Sequence, residues 1–435
     1  MKLLYWVREH HAAAKPKSGR LRATAAVAIA AAVTLAGCST TSSTSTAGST
    51  TNAAPSNQSN AASTPLPASP TNAASSTTCS TKGAPSSNGG AVANAQKLVD
   101  KAAGLTTKWD GPTTPAKAPK NKTVVFIAAN ANNTGDIGVY KGLQQAAGSL
   151  GWTVKFIDGQ NSTSTNLNAI SQAIALHPDA IGLSSFDAAS AESLIEQAKK
   201  AGIVVVGNHT GESTGVQASY PGMFTNISSD PRLISQVAAA CAVVASNGTA
   251  GVTIYNCGTE FKLCGTKQDG LTSEINTCGG CKILALNEFP FEAVPQQMAG
   301  LATSDYQRFG SKLTYMLAIN DLYWDAAVPA LQAAGVGPGG PPAMIAAGDG
   351  SPAAYSRIRK GQYQIASVAE PLNEHGWQMA DEITRALDGL QPSAFVTYPH
   401  LVTIENVNLE GGDKGTFDPA NGYRNEYAKL WGIGG

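Results

Sequence analysis

Polar side chains collect where the apolar, strand-like segments of this sequence end. Carboxylates and amides can each bond two neighbouring oxygens, as vicinal hydroxyls require. Aromatic rings, which pack against the C–H face of a sugar, occur nearby in the sequence. The pattern indicates a preformed, concave site for a small polar ligand. The polar residues are Asn132, Asn133, Asp136, Ser184, Asp187, Asn208, His209, Asn320, Asp321, Asp349 and Glu370, and the aromatic ones are Phe186, Phe289, Phe291, Tyr323 and Trp324.

Some of these residues have an ordinary structural explanation. Asp and Asn after a strand often cap the next helix or form a turn, and we expect this of Asn132, Asp187 and Asp321. Phe186 and Tyr323 are expected in the core. Asp349 and Asn320 are expected to contact the ligand.

The elements that position these groups alternate between strand and helix after residue 120. The strand-like segments, such as "TVVFIAAN" at 123–130, are continuously apolar, which is typical of parallel strands covered on both faces. A second series of the same kind begins near residue 230. The sequence therefore predicts an α/β protein with two doubly wound parallel-sheet lobes and a ligand site at the carboxyl ends of the strands.

The N-terminal residues have the pattern of an export signal. Six basic residues and one acid precede the uncharged run "ATAAVAIAAAVTLAG" at 23–37, which is too short to span a membrane. The residues "LAGC" at 35–38 resemble the lipobox of bacterial lipoproteins, so we expect cleavage after residue 37 and a lipid on Cys38. An ordinary secretory signal with a chance cysteine is the alternative. Residues 38–119 are predicted to be a Ser/Thr-rich stalk and spacer, with a short helix possible from residue 91.

Charge and motifs exclude several functions. The chain has 30 basic and 30 acidic residues, and loss of the signal leaves 24 against 29, so the mature protein is mildly acidic. Without a basic stripe, nucleic-acid binding is not expected. The sequence contains no GxSxG, HExxH or phosphate-binding loop motif. We therefore expect no enzyme activity, no cofactor and no metal site.

Seven cysteines are present, and export permits disulfides. Local bridges are predicted between Cys257 and Cys264 and between Cys278 and Cys281. Other pairings and a four-cysteine zinc site are the alternatives. No role is assigned to Cys79, and Cys241 is expected to be a buried thiol or to have an unidentified partner.

Four segments in the right order resemble the sugar-binding, ribose-binding-like periplasmic binding proteins of type I, which capture substrates for ABC transporters. The segments are "NNTGDIGVYKGLQQAAGSLGW", "IDGQNSTSTNLNAISQAIALHPDAIGLSSFDAASAESLIEQAKKAGIVVVGNHTG", "LAINDLYWDAAVPALQAAG" and "GDGSPAAYSRIRKGQYQIASVAEPLNEHG". The resemblance implies ligand-binding roles for the residues at the family's positions, which are Asn133, Asn208, His209, Asn320, Asp349 and Glu370. It covers most of residues 120–405.

The chain also departs from this family. Gly135 and Asp136 stand where two stacking aromatics are expected, and Lys267 is the cation nearest to a missing arginine. A polyol, a sugar other than ribose or an amino-bearing ligand fits these changes better than ribose. The predicted ligand-binding set is Asn133, Asp136, Ser184, Asn208, His209, Lys267, Phe289, Phe291, Asn320, Trp324, Asp349 and Glu370.

The resemblance implies a hinge of three crossing strands and closure around the ligand. The expected N-terminal lobe comprises 120–229 and 371–397, the C-terminal lobe 230–370 and 398–411, and a tail follows at 412–435. A monomer is expected to deliver its ligand to the membrane subunits of an ABC importer. Presentation of the closed form to a membrane receptor is the alternative.

Overall fold

The computed structural model describes Cys79 and residues 89–217, 220–258 and 261–433. The predicted signal peptide, Cys38 and nearly all of the Ser/Thr-rich stalk lie outside the described residues. Helices and strands alternate as predicted along most of the rest. The helices are α1 Gly89–Ala103, α2 Thr134–Leu150, α3 Thr163–Ala175, α4 Ala188–Lys200, α5 Pro231–Ala245, α6 Lys262–Thr277, α7 Val294–Phe309, α8 Leu322–Ala333, α9 Pro352–Lys360, α10 Leu372–Leu387 and α11 Tyr423–Leu430.

The strands form two sheets. The first has the order β2-β1-β3-β4-β5 and is parallel throughout. The second has the order β11-β10-β9-β8-β6-β7, and only its edge strand β11 is antiparallel. The strands are β1 Thr123–Ala128, β2 Thr153–Asp158, β3 Ala180–Ser184, β4 Val204–Asn208, β5 Thr225–Ile227, β6 Gly251–Asn256, β7 Lys282–Glu288, β8 Tyr315–Ala318, β9 Ala343–Ala346, β10 Gln364–Ala369 and β11 His400–Thr403.

Burial explains the continuous apolar runs. Every residue of β3, β6, β8 and β9 is buried, because helices cover both faces of each sheet. The register pairs Ala128 with Ser184 and Ser184 with Asn208, so three strands end at the same level. The polar residues that follow these strands therefore meet at one edge of the sheet.

Each sheet is the centre of one lobe, which confirms the predicted two-lobed α/β class. The N-terminal lobe combines β1–β5 with α2, α3, α4 and α10, and α11 packs against α10 through aromatic stacking of Trp431 on Trp377. The C-terminal lobe combines β6–β11 with α1 and α5–α9. Residues 412–433, expected only as a tail, thus include a helix of the N-terminal lobe.

The chain crosses between the lobes near residues 228–230, 370–371 and 388–399, and hydrogen bonds join these crossings. The Ser229 amide donates to Glu370 Oε2 at 3.0 Å. The Ser229 hydroxyl lies 2.7 Å from the hydroxyl of Thr397, which lies 2.7 Å from His375 Nε2. The three segments therefore form one bonded hinge.

Residues 89–119 belong to the folded body, although we expected a spacer there. The apolar positions Val92, Ala95, Val99 and Ala102 follow helical spacing and are buried in the core of the C-terminal lobe, where α1 contacts α5. The chain then reaches the N-terminal lobe, where the Ala116 amide donates to the Leu430 carbonyl at 3.1 Å. The amphipathic pattern of α1 explains why this segment docks.

Three disulfides are present among the described residues. The pairs Cys257–Cys264 and Cys278–Cys281 are those predicted. Cys241, for which no partner was identified, is bonded to Cys79 across 162 positions of sequence. This bond fixes residue 79 to α5. None of the helices in the described part of the chain is both long and apolar enough to cross a bilayer.

Candidate functional site

A cavity lies between the lobes and is lined by side chains of both. The lobes meet around it, since the Lys262 amide donates to Asp187 Oδ2 at 3.3 Å and the Thr266 hydroxyl donates to the Glu212 carbonyl at 3.1 Å. The N-terminal lobe contributes Asn133, Ser185 and His209 to the lining, and the C-terminal lobe contributes Cys257, Phe261, Leu263, Cys264, Lys267, Phe291, Ile319, Asn320 and Asp349.

Asp349 is the carboxylate that the C-terminal lobe presents to the cavity. It lies on the loop after β9, and Asp321 Oδ2 accepts hydrogen bonds from the Gly350 and Ser351 amides of that loop at 2.8 and 3.2 Å. The Asn320 amide donates to Asp349 Oδ2 at 2.7 Å. Asp321 thus has the structural role expected of it, and it helps to orient Asp349. Burial raises the pKa of Asp321 to about 6, although Arg357 and four hydrogen bonds favour its ionised form.

Gly135 allows Asp349 to approach the N-terminal lobe. A Cβ atom at position 135 would overlap the carboxylate of Asp349. Asn133 caps α2 by accepting from the Gly135 amide at 3.0 Å, so this turn is held in place. The resemblance leads us to expect an aromatic ring at position 135. This chain has Gly135 there instead, and the Asp349 carboxylate of the opposite lobe lies next to it.

Asp136, Ser184 and Asn208 were predicted to bind ligand, but they mainly satisfy one another. The hydroxyls of Ser184 and Ser185 donate to Asp136 Oδ1 at 2.7 and 2.6 Å, and the Asn208 amide donates to the Ile227 carbonyl at 3.1 Å. Burial raises the pKa of Asp136 to about 7, against the lowering effect of these serines, and the Asp349 charge adds to the rise. Asp136 borders a neighbouring cavity, which it lines together with Asn130 and Asn161. The three residues therefore make hydrogen bonds within the N-terminal lobe next to the main cavity.

Glu370 and His209 form a buried ion pair at the hinge. His209 Nε2 lies 3.1 Å from Glu370 Oε2, and Glu370 Oε1 has no hydrogen-bond partner although the residue is fully buried. Burial opposes ionisation of both groups, but their mutual attraction lowers the pKa of Glu370 to about 2 and raises that of His209. Lys267 Nζ donates to the carbonyls of Ile319 and Ala347 at 3.1 and 2.8 Å, so its ammonium faces the same region.

The predicted aromatic residues occupy different places. Phe291 lines the cavity. Phe289 is buried, and its ring centroid lies 5.6 Å from that of Tyr323. Trp324 is fully buried against Tyr255, with the ring centroids 6.0 Å apart and the planes at 86°. The prediction that Trp324 and Phe289 line the cavity is therefore not met, because α8 directs Trp324 into the core and Phe289 packs beneath the wall.

Sequence reasoning missed the apolar wall of the cavity. This wall contains the Cys257–Cys264 disulfide with Phe261, Leu263 and Ile319. Four of these five residues follow β6, in the segment 257–264, and the carboxyl end of that strand could have been included with the others. Ser185, also missed, directly follows the end of β3 and has a left-handed backbone with φ of 62°.

The fold and the cavity define a class of protein in which two α/β lobes close on a ligand at a hinge. The sequence profile of the periplasmic binding protein domain matches residues 124–391, and the chain belongs to this family. Family membership indicates an extracytoplasmic protein that binds a solute and is not an enzyme. No curated protein sequence matches the chain significantly.

Solved structures share the fold at low sequence identity. A solute-binding protein of an ABC transporter from Agrobacterium vitis with bound allitol is 21% identical, with a TM-score of 0.58 over 66% of this chain and 97% of that one. Another from Agrobacterium vitis, bound with alpha-D-tagatopyranose, is 19% identical, with a TM-score of 0.61 over 68% and 99%. The XylFII–LytSN complex is 19% identical, with a TM-score of 0.57 over 66% and 100%.

Proposed function

We propose that this chain captures a sugar or polyol between its lobes and delivers it to an ABC importer. The observation that carries the proposal is the set of polar groups that both lobes present to the cavity, with Asn133 from the N-terminal lobe and Asp349, Asn320 and Lys267 from the C-terminal lobe. These groups can bond several hydroxyls, while Phe261 and Phe291 can contact the C–H face of the ligand. The sugar and polyol complexes among the structural relatives support the same ligand class.

The charges around the cavity favour a neutral ligand. Asp349 and Glu370 are acidic, whereas Lys267 and His209 are basic, and all four side chains are buried. Lys267 lines the cavity and would repel an ammonium group, which can bind the carboxylates only through charge and hydrogen bonds. This balance favours a hydroxyl-rich ligand over the amino-bearing alternative.

Binding is expected to stabilise the closed arrangement, because the ligand would bond groups from both lobes at once. Asn133 and His209 belong to one wall, and Asn320 and Asp349 belong to the other. A ligand that reaches both walls therefore favours contact between the lobes, and the membrane subunits of the importer would recognise that state. No covalent chemistry is involved.

The ligand class can be tested by a thermal-shift screen of pentoses, hexoses, polyols and amino sugars. A ligand at about 100 times its dissociation constant adds about 2.7 kcal/mol of stability. We expect a clear shift with at least one neutral sugar or polyol. Shifts with amino sugars alone would contradict the charge argument, and a folded protein that responds to no member of the panel would contradict the proposed ligand class.

We further propose that the protein is anchored to the membrane by a lipid on Cys38. The basic segment, the apolar run and "LAGC" at 35–38 support this. Cys38→Ala should move the protein from the membrane fraction to the soluble fraction, and Ser45→Ala, a change in the same Ser/Thr-rich segment, is the control, which should stay at the membrane. A Cys38→Ala variant that remained membrane-bound would contradict lipidation.

A receptor partner is the second candidate, because one structure of similar fold, the XylFII–LytSN complex, contains a second protein. The two candidates differ in what deletion of the gene should do to uptake of the identified ligand. An importer component predicts loss of uptake. A sensor predicts normal uptake together with loss of a transcriptional response to the ligand.

A further inference from the structure

His209, Asp349 and Glu370 form a buried cluster at the hinge side of the cavity. One potential ligand atom from each residue lies within 4.8 Å of those of the other two. The three side chains come from different parts of the chain, since they follow β4, β9 and β10 respectively. From this cluster we propose a binding site for a divalent transition-metal ion, with Zn²⁺ as the representative ion.

The distances suit such an ion. Zinc bonds of 2.0–2.2 Å place the ligand atoms of a tetrahedron roughly 3.3–3.6 Å apart. His209 Nε2 and Glu370 Oε2 are already 3.1 Å apart. Since no separation in the cluster exceeds 4.8 Å, the largest must shorten by at most roughly 1.5 Å, which requires a small shift of the Asp349 side chain.

A buried, unsatisfied oxygen gives independent support. Glu370 is fully buried, and its Oε1 atom has no hydrogen-bond partner. An ionised oxygen in that condition is unfavourable unless a cation or a donor approaches it. A metal ion bound by both oxygens of Glu370, together with Asp349 and His209, would satisfy this oxygen.

The surrounding groups hold both carboxylates in place. The Ser229 amide donates to Glu370 Oε2 at 3.0 Å, and the Asn320 amide donates to Asp349 Oδ2 at 2.7 Å. Hydrogen bonds of this kind orient ligating carboxylates in metal sites. On metal binding, His209 Nε2 loses its hydrogen bond to Glu370 and coordinates the ion instead. Any proton on that nitrogen passes to solvent.

The chemistry of the cluster selects the type of ion. An imidazole with two carboxylates suits zinc and its neighbours, whereas calcium takes six to eight oxygen ligands. Lys267 carries a positive charge close to the cluster and is held by two backbone carbonyls. That charge opposes cations held by electrostatics alone, so the site favours an ion that binds imidazole strongly. Three protein ligands leave a coordination position open towards the cavity.

The test is calorimetric titration of the full chain, freed of metal by a chelator, with Zn²⁺. We expect one equivalent to bind to the wild type and His209→Gln to weaken binding by more than about tenfold. Asp349→Asn should have a similar effect and serves as the second variant if His209→Gln does not fold. His177→Gln changes an exposed histidine and should leave zinc affinity unchanged.

The absence of zinc binding to the wild type, or unchanged affinity in both cluster variants, would overturn the site. Loss of affinity in His177→Gln alone would do the same, since it would place the ion on the surface. This inference does not rest on the sugar proposal. The ligand screen is therefore run in chelator, so that failure of either proposal leaves the other measurable.

Discussion

The two walls of the cavity use their polar groups differently. In the N-terminal lobe, Asp136 accepts from Ser184 and Ser185, so its oxygens are occupied within the lobe. In the C-terminal lobe, Asp349 and Asn320 both line the cavity, and Asn320 donates a hydrogen bond to Asp349 Oδ2. A polar residue at the end of a strand is thus not by itself a ligand group. Its role depends on whether neighbours already use its donors and acceptors.

The lobes also differ in covalent restraint. The described disulfides all lie in the C-terminal lobe, and one of them forms part of the cavity wall. The N-terminal lobe depends on helix packing and on α11, whose Trp431 stacks on Trp377. We therefore expect the C-terminal wall to be the more rigid one and the N-terminal lobe to supply most of the adjustment to a ligand.

The largest predicted effect concerns the bond that closes the longest loop. Replacing both Cys79 and Cys241 by Ala should lower the free energy of unfolding by about 5 kcal/mol, because the chain-entropy effect increases with loop length. Removing Cys278–Cys281, which closes a separation of only three residues, should lower it by about 2 kcal/mol. Denaturant unfolding of both variants measures the difference, and equal losses would contradict a role for loop length.

Asp349→Ala should weaken binding of the identified ligand more than about 100-fold, since hydrogen bonds to a charged group contribute about 1.5–3 kcal/mol each. The melting temperature of the unliganded protein should hardly change. Calorimetric titration measures the affinity. Retained affinity would show that the C-terminal wall does not supply the main polar contact.

Gly135→Ala should weaken binding by roughly tenfold, because the added Cβ overlaps the Asp349 carboxylate and keeps the walls apart. Gly148→Ala is the matched control on the same helix, since no atom lies within 4 Å of a Cβ there. That control should keep its affinity and gain about 0.5–1 kcal/mol of stability. Equal affinities in the two variants would mean that this close approach is not needed for binding.

The smallest effect on binding is expected for Asp136→Asn, because Asp136 already accepts hydrogen bonds from Ser184 and Ser185. This carboxyl has a pKa of about 7 in the folded protein and an ordinary value of 3.8. Between these two pH values the Asp136 carboxyl is mostly protonated in the folded state and mostly ionised in the unfolded state. The contribution of this carboxyl to the free energy of unfolding therefore decreases as the pH rises from about 4 to 7. Melting temperatures measured across that range should fall less steeply in the variant. Parallel curves would contradict the raised pKa.

Local pattern by itself determined the α/β class, the main strands and the two short disulfides. Continuous apolar runs report burial on both faces, and the close spacing of the cysteines favoured the two local bridges over the alternatives that the sequence left open. The polar ends of the strands likewise identified Asn133, His209, Asn320 and Asp349 as residues that line one cavity.

Tertiary structure alone decided which distant groups meet. Cys79 and Cys241 are 162 positions apart, and His209 and Glu370 are 161 apart. Periodicity shows that a side chain is buried but not what lies against it, so it could not show that Asp136 is satisfied by Ser185 or that Trp324 packs on Tyr255. Burial follows from local pattern, whereas hydrogen-bond partners depend on how the whole chain is folded.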